Sequence, residues 1–225
     1  MNYLNEERYS RQRDIVPPER IAACHATVIG VGAIGRQVAL QLTAMGVPWF
    51  QLIDHDVVEI SNLASQGYLE ADLGKLKVEA TAEQCRRINS AVHIDAVPNR
   101  FRRSMEIGNA LFCCVDSIAT RRLIWDATKD LVAFFCDGRM TAEILRILTA
   151  FDEPSRRHYP GTLFGAEQAF AGSCTAKTTI YCANTAAGLM VAQFAKHLRQ
   201  LPADADVGMN LLTSEVSVLP CTSSF

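Results

Sequence analysis

One stretch near the start of this chain, residues 26–56, limits the possible folds more than any other part. It reads ATVIGVGAIGRQVALQLTAMGVPWFQLIDHD and begins with a short apolar run that leads into Gly30, Gly32 and Gly35. Apolar residues then recur at the spacing of one helical face, and a second apolar run ends at Asp54. Strand, glycine turn, helix and strand in this order are typical of half of a doubly wound nucleotide-binding fold.

The three glycines of this turn have separate expected roles. Gly30 permits the tight turn, Gly32 lets the backbone approach a phosphate, and Gly35 lets the helix pack close to the strand. The helix start would present free N–H groups and its positive dipole end to an anion. Asp54 lies about 20 residues past the glycines, where an acid accepts hydrogen bonds from ribose hydroxyls. The pattern predicts a nucleotide site, for a nicotinamide or flavin dinucleotide as much as for ATP; a glycine turn kept for structure alone is the alternative.

Strand and helix patterns alternate along the chain as far as Gly138. Besides those of the first stretch, the predicted elements are a helix at 19–24, a helix entered at Lys75 and Lys77, strands at 93–97, 111–115 and 133–136, and a helix at 118–129. Then follow a strand at 142–151, a polar turn at 152–160, a short strand at 162–164, a helix at 175–198 and a last strand at 210–219.

We therefore predict an α/β fold, a Rossmann-like doubly wound and mostly parallel sheet continued by antiparallel strands in the C-terminal part. A chain of 225 residues with 49% hydrophobic content suits one domain over 1–225. An N-terminal arm at 1–18 precedes the first strand, and a loop at about 165–177 precedes the long helix.

Three acids follow predicted strands, namely Asp54, Asp116 and Asp137. Ligands of such sheets lie beyond the carboxyl ends of the strands, so these acids are candidates for the site. Asp116 also stands before a helix, and a simple N-cap is its alternative role. Lys77 is a cation at the positive end of a helix, which predicts a phosphate partner; a surface lysine is the alternative.

The composition argues against some classes of binding partner. A formal charge of −2 and a pI near 6.2 give no electrostatic reason to expect nucleic acid or an anionic membrane. The apolar stretch at 178–194 contains Asn184 and Gln193, so we expect a buried helix there and no membrane span. The charged N-terminus predicts no signal peptide, and the cytoplasm is the expected compartment.

Seven motifs, taken in chain order, resemble the ThiF/MoeB/HesA family of ubiquitin-activating-like enzymes. They are Arg8-Tyr9-Ser10-Arg11-Gln12, GVGAIG, LIDHD, SNLASQ, GKLKVE, RIN and CVDS. The resemblance is dense from Arg8 to about Asp137 and looser afterwards. It implies an enzyme that uses ATP and Mg²⁺ to adenylate the C-terminal glycine carboxylate of a small ubiquitin-like or sulfur-carrier protein. It also implies a homodimer, a possible conjugating or sulfur-transfer partner, and a crossover loop at about 165–177.

The same resemblance assigns the nucleotide contacts. It implies that Gly30, Gly32 and Gly35 approach the phosphates and that Asp54 holds the ribose. It implies that Asn62 orients the attacking site and the triphosphate.

It also assigns the charged groups of the reaction. Lys77 would neutralise the phosphates, Asp116 would hold the magnesium, and Arg11 would reach the triphosphate of the opposite subunit. A carboxylate that attacks the α-phosphate brings two anions together, so cations have to offset the growing charge. A helix through the opening segment would place Arg8 beside Arg11 for this purpose; a solvated basic helix is the alternative.

The sequence departs from the family at Ser65. The family motif usually reads S-N-L-x-R-Q, and its arginine position here holds Ser65. Loss of one such donor can cost about 3 kcal/mol of transition-state stabilisation. Three outcomes are open: Arg8 or another basic group substitutes, catalysis is slow, or the protein is a catalytically weak ATP-binding dimeric scaffold.

The cysteines bear on two further questions, a zinc site and an acceptor thiol. The paired C-x-x-C motifs of many family members are absent, so we expect no zinc. Cys174 stands where some members carry an acceptor thiol, and a helix start with Lys177 one turn on would lower its pKa. An ordinary small residue near a helix cap is the alternative. Cys182, inside the apolar run of the helix, is expected in the core.

An NAD(P)-dependent oxidoreductase is the competing enzyme class, since the glycines and Asp54 suit it equally. Against it, no tyrosine-lysine pair or histidine is placed for hydride chemistry.

Overall fold

Eight strands form one mixed sheet in the computed structural model, which describes residues 7–164 and 178–220. In chain order the strands are β1 (His25–Ile29), β2 (Trp49–Ile53), β3 (His93–Val97), β4 (Ala110–Cys113), β5 (Phe134–Thr141), β6 (Ile144–Ala150), β7 (Asp204–Asn210) and β8 (Glu215–Pro220). Across the sheet the order is β3-β2-β1-β4-β5-β6-β7-β8. The pairs among β1 to β5 are parallel, and those from β5 to β8 are antiparallel. The predicted fold class is confirmed.

Helices cover both faces of this sheet. They are α1 (Pro18–Ala22), α2 (Ala33–Met45), α3 (Ile60–Gln66), α4 (Lys77–Ile88), α5 (Ile118–Thr128), α6 (Glu153–His158) and α7 (Ile180–Leu198), with 3₁₀ turns at Glu70–Asp72 and Tyr159–Thr162. One core joins α2, α4 and α7 to the sheet through residues such as Val28 and Phe194. Residues such as Ile29 and Trp125 join α5 to the other face in a second core. Neighbouring residues of β1 serve opposite cores because side chains alternate along a strand.

The region after Cys136 differs from the prediction. β5 continues through Asp137 to Thr141 and pairs with β6, so the predicted strand end at 136 is wrong. The predicted turn at 152–160 holds α6, which begins after Asp152; the Asp152 carboxylate accepts the Ser155 N–H at 3.0 Å. The predicted strand at 162–164 is also wrong, because Thr162 ends a 3₁₀ turn.

Asp137 therefore lies inside the sheet and not at its edge. Its carboxylate is 0% exposed and forms ion pairs with Arg121 and Arg139. The Tyr159 hydroxyl donates to it at 2.9 Å. A carboxylate so fully enclosed connects β5, α5 and the 3₁₀ turn at Tyr159–Thr162. Asp137 is therefore not accessible to a ligand and is not a candidate site residue.

The C-terminal elements are shorter than predicted. α7 begins at Ile180, since the Thr179 hydroxyl caps it by accepting the Cys182 N–H at 3.4 Å. The predicted strand at 210–219 covers the turn and most of β8, whereas β7 lies almost wholly before it and was missed; Asn210 accepts N–H groups of the turn between the two strands. Within 7–164 and 178–220, every helix is too short or too polar to cross a membrane.

Candidate nucleotide-binding site

The carboxyl ends of the parallel strands bring the glycine turn and two predicted acids to one edge. Ile29, the last residue of β1, pairs with Ile53 of β2 and with Cys113 of β4. The next residues along the chain, Gly30 and Asp54, are therefore level with each other at this edge. Asp116 follows β4 by three residues at the same edge. This is the place where α/β sheets of this topology bind ligands.

The glycines of the turn differ in what surrounds them. Gly30 has φ +85°, and a Cβ there would lie 2.7 Å from the Cys114 carbonyl oxygen. A Cβ on Gly35 would lie 1.8 Å from the Gly30 carbonyl oxygen. At Gly32, in contrast, the nearest atom to a Cβ is Gln66 Oε1 at 3.8 Å. Gly30 and Gly35 are thus required by the fold, whereas a Cβ at Gly32 would make one ordinary van der Waals contact and no clash.

Asp54 orders the turn as well as facing the site. Its Oδ2 accepts the Val31 N–H at 2.6 Å, and its Oδ1 accepts the Asp56 N–H at 2.9 Å. A carboxylate has about four acceptor positions, so lone pairs remain for further donors such as ribose hydroxyls. The structure is compatible with the predicted role of Asp54.

Lys77 is a buried cation with one acidic partner. Its side chain is 8% exposed, and Nζ lies 2.9 Å from Asp56 Oδ2, whose side chain is half exposed. Burial would raise the pKa of Asp56, yet the hydrogen bond and charge of Lys77 hold that pKa below its usual value. The surface-lysine interpretation of Lys77 is wrong. Asp56 itself was missed, since nothing in the sequence alone pairs two residues 21 positions apart.

Helix α3 carries Asn62 and Ser65. Asn62 is 9% exposed, and its Oδ1 accepts the Glu59 N–H at 3.0 Å, which fixes the side chain at the helix start. Its amide nitrogen makes only a long contact, 3.4 Å, with the Ser61 hydroxyl, so it can donate to a ligand. Ser65 donates to the Ser61 carbonyl at 3.0 Å and supplies no charge to the site.

Asp116 is exposed, between β4 and α5. The helix is capped by Ser117, whose hydroxyl accepts the Thr120 N–H, so the N-cap interpretation of Asp116 is wrong. Over 7–164 and 178–220 its carboxylate has neither an ion-pair nor a hydrogen-bond partner. Both oxygens are available to a divalent cation.

The N-terminal arm lies at the opposite edge of the sheet. The Gln12 amide donates to the Met45 carbonyl at 2.6 Å, and the Arg8 guanidinium donates to the Ile88 carbonyl at 3.0 Å. Both carbonyls belong to C-terminal ends of helices, and α2 alone separates its two ends by about 20 Å. Arg8 therefore does not stand in for the arginine missing at Ser65 in its own subunit, and exposed Arg11 lies just as far from that glycine turn.

Asp54 also belongs to a cluster of possible metal ligands. Ligand atoms of Asp54, His55 and Asp56 lie within 4.8 Å of one another. Lys77 already pairs with Asp56, and the Arg100 Nε lies 3.2 Å from His55 Nε2. Two protein cations thus face this cluster, and Asp116 is the better candidate for a metal ligand.

The two cysteine predictions have different outcomes. Cys182 is fully buried in the core against the sheet, and burial raises its pKa, as expected for a structural thiol. Cys174 lies outside the described residues. Since Thr178 and Thr179 precede the first turn of α7, the predicted helix start at 175 is wrong and no longer supports a lowered pKa at Cys174.

The chain is similar to several known proteins. A model of the ThiF family matches residues 9–214. Adenylyltransferase and sulfurtransferase MOCS3 of Mus musculus is 38% identical over 133 residues, 53% of this chain and 28% of the relative. Adenylyltransferase and sulfurtransferase uba4 of Aspergillus terreus is 34% identical over 139 residues, 55% of this chain and 28% of the relative. The chain spans under a third of either relative.

Solved structures match over nearly the whole chain. The crystal structure of PaaA has a TM-score of 0.80 at 18% identity and covers 98% of this chain and 75% of that one. The crystal structure of E. coli MccB with ATP has a TM-score of 0.76 at 17% identity and covers 98% of this chain and 73% of that one. At sequence identities of 17% and 18%, this likeness shows a shared fold. Together with the family match over 9–214, it shows that the chain belongs to the ThiF family.

Proposed function

We propose that this chain is an ATP-dependent adenylyltransferase that activates the C-terminal glycine carboxylate of a small ubiquitin-like or sulfur-carrier protein. The observation that carries the proposal is the set of groups at one sheet edge. Buried Lys77, the lightly packed backbone at Gly32 and the free carboxylate of Asp116 together suit a polyphosphate and a metal ion. The names of the MOCS3 and uba4 relatives support the same activity.

The residues at this edge fit ATP and Mg²⁺. The lightly packed backbone at Gly32 lets a phosphate approach, Asp54 can accept from the ribose, and Asn62 can donate to a phosphate oxygen. Asp116 would hold the magnesium ion. When bound, ATP with Mg²⁺ supplies an electrophilic phosphorus and a pyrophosphate leaving group.

The protein's own part is to offset charge and to orient the incoming carboxylate. Lys77 places a positive charge against the phosphates, and Asp56 fixes the direction of its ammonium group. The start of α2, with Ala33 and Ile34, adds N–H groups and the positive helix end. Because Lys77 is buried, its charge is screened by water less than a surface charge would be.

The partner and the dimer belong to the same proposal. A crystal structure of E. coli MccB contains MccA as well, and we infer that this chain likewise binds a separate polypeptide whose tail enters the site. We also infer a homodimer in which Arg11 of each subunit serves the other subunit's site. The far position of the arm in its own subunit supports this arrangement.

Exchange of labelled pyrophosphate into ATP tests the activity directly. We expect exchange that depends on a small protein ending in Gly-Gly, encoded near this chain's gene. We also expect ATP with Mg²⁺, and not NAD, to raise the melting temperature; ligand at 100 times its Kd adds about 2.7 kcal/mol. Stabilisation by NAD alone would favour the oxidoreductase. ATP binding without exchange for every such protein would favour the scaffold.

Lys77→Ala should reduce exchange by about a hundredfold or more, because one buried charge-stabilising donor is worth that much. Lys75→Ala is the matched control. Lys75 is more exposed and pairs with Asp72 and Glu83, so its removal should leave exchange within about twofold. Similar losses in both variants, or none in Lys77→Ala, would contradict the role of Lys77.

We also propose that Cys174 accepts the activated carboxyl group, with release of AMP as its thiolate forms a thioester. This predicts a covalent adduct with the partner that dithiothreitol cleaves and that Cys174→Ala abolishes. Cys182→Ala, a change of a buried thiol, should leave the adduct in place. Mass spectrometry that finds the adduct unchanged in Cys174→Ala would assign the acceptor elsewhere.

A further inference from the structure

Arg36 is a buried arginine that the proposed chemistry has not used. It lies in the second turn of α2 and is 3% exposed. Its Nε is buried without a hydrogen-bond partner, and no carboxylate between residues 7 and 164 or 178 and 220 lies within ion-pair distance of its guanidinium. Its one favourable contact of note is the ring of Tyr68, 4.7 Å from Cζ.

Such an arrangement is unfavourable unless an anion completes it. Burying a charge is costly, and one cation–π contact offsets only part of that cost. The neighbouring acid does not compensate, because Asp72 is taken by Lys75 Nζ at 3.2 Å and by the Leu69 N–H at 3.1 Å. An arginine stays protonated even here. A buried guanidinium with free donors is therefore a ready site for an anion from outside the chain.

The position of Arg36 links it to the glycine turn. Tyr68, which stacks on the guanidinium, donates its hydroxyl to the Val31 carbonyl of that turn at 2.6 Å. Arg36 Nη1 also approaches Gly67, coming within 3.8 Å of where a Cβ would stand. Gln66, the residue before Gly67, lies against Gly32. Arg36 and Gly32 thus contact neighbouring residues of one segment, Gly67 and Gln66.

Ser65 belongs to the segment that leads to Gly67. It is two residues before Gly67, in the helix that Gly67 ends. The charge that the chain lacks at Ser65 is therefore present nearby, on a different helix.

We propose that Arg36 binds the β- and γ-phosphates of ATP and supplies the positive charge absent at Ser65. This rests on the proposed binding of ATP. The outer phosphates carry most of the charge of ATP, so an unpaired buried cation gains most from them. Arg36 keeps the leaving pyrophosphate in place and offsets its charge, while Lys77 acts from α4.

Arg36→Met is the test, since methionine replaces much of the side-chain volume without the charge. By calorimetry, we expect about tenfold to hundredfold weaker binding of ATP and of inorganic pyrophosphate, the range of a hydrogen-bonded charge pair. AMP, which lacks the outer phosphates, should bind within about twofold of wild type. Arg87→Met, a change of an exposed arginine paired with Glu83, should alter none of these affinities.

A purely structural arginine would behave differently. Because Arg36 has no counter-charge, Arg36→Met without ligand should melt at the wild-type temperature or above it. Ser65→Arg in the Arg36→Met background should recover much of the affinity for ATP, since it returns a guanidinium to the same end of α3.

The outcomes separate the two proposals. ATP binding that depends on Arg36, with no exchange, would leave the Arg36 site standing and end the adenylation proposal. Equal weakening of AMP and ATP, no weakening of either, or a clear loss of melting temperature in Arg36→Met would overturn the Arg36 site alone. Wild-type protein that binds neither ATP nor pyrophosphate would overturn both.

Discussion

Gly35→Ala should abolish nucleotide binding by destroying the turn that forms the site. The new Cβ would lie 1.8 Å from the Gly30 carbonyl oxygen, far inside van der Waals contact. Relief requires α2 to move away from β1, which breaks the packing of Ile34 and Val38 on the sheet. We expect a loss of about 3–5 kcal/mol in the free energy of unfolding, or about 10 °C in melting temperature.

Gly32→Ala is the matched control for this prediction. Its Cβ meets nothing closer than Gln66 Oε1 at 3.8 Å, and Gly32 has φ −80°, which alanine adopts without strain. The melting temperature should therefore change by about 2 °C or less, while ATP binds at least about tenfold more weakly because the methyl group fills the space for a phosphate. Thermal melts and calorimetric titration check both variants. A stable Gly35→Ala variant, or an unaltered ATP affinity in Gly32→Ala, would contradict this view of the turn.

Local patterns predicted the first half of the fold well. The glycine turn, its flanking strands and the parallel sheet depend on contacts between neighbouring elements, and hydrophobic period and turn chemistry report these directly. Strand β3 begins and ends where predicted, at His93 and Val97. The placement of Gly32, Asp54 and Asp116 at one edge follows from parallel strand ends, and it too could be predicted.

Tertiary contacts and local side-chain caps account for what the sequence could not predict. Asp137 resembled a strand-end ligand, but Arg121 and Tyr159 from other elements enclose it within the sheet, together with Arg139 of its own strand. The start of α7 and the turn between β7 and β8 are set by single polar side chains, Thr179 and Asn210. These caps compete with apolar periodicity and are hard to weigh from sequence.

The prediction of the site was incomplete for the same reason. Lys77 was predicted from its place at a helix start, whereas its partner Asp56 required the tertiary structure. Arg36 had one signal that could have been noticed, a charged residue between Gly35 and Val38 on a helix packed against the sheet. Whether such a residue has a counter-charge is a property of the folded chain only.

A heterodimer of one Arg11→Ala subunit and one Lys77→Ala subunit should be active although each homodimer is inactive. The arm contacts Met45 and Ile88 at the edge of the sheet opposite the glycine turn, so Arg11 cannot serve its own site. In the mixed dimer, the subunit that keeps Lys77 receives Arg11 from its neighbour. With two affinity tags to isolate mixed dimers, we expect about half of wild-type exchange, since one of two symmetric sites is complete.

A second heterodimer, with both substitutions in one subunit, is the control. A wild-type subunit paired with an Arg11→Ala/Lys77→Ala subunit contains the same residues, but each site lacks either Arg11 or Lys77. If Arg11 acts across the dimer, this pair should be as inactive as the single-variant homodimers, at about a hundredth of wild type or less. An arm that folded back onto its own subunit would reverse the two results, because the wild-type subunit would then be complete by itself. The two heterodimers have the same composition, so a difference in exchange between them reports only how Arg11 and Lys77 are divided between the subunits.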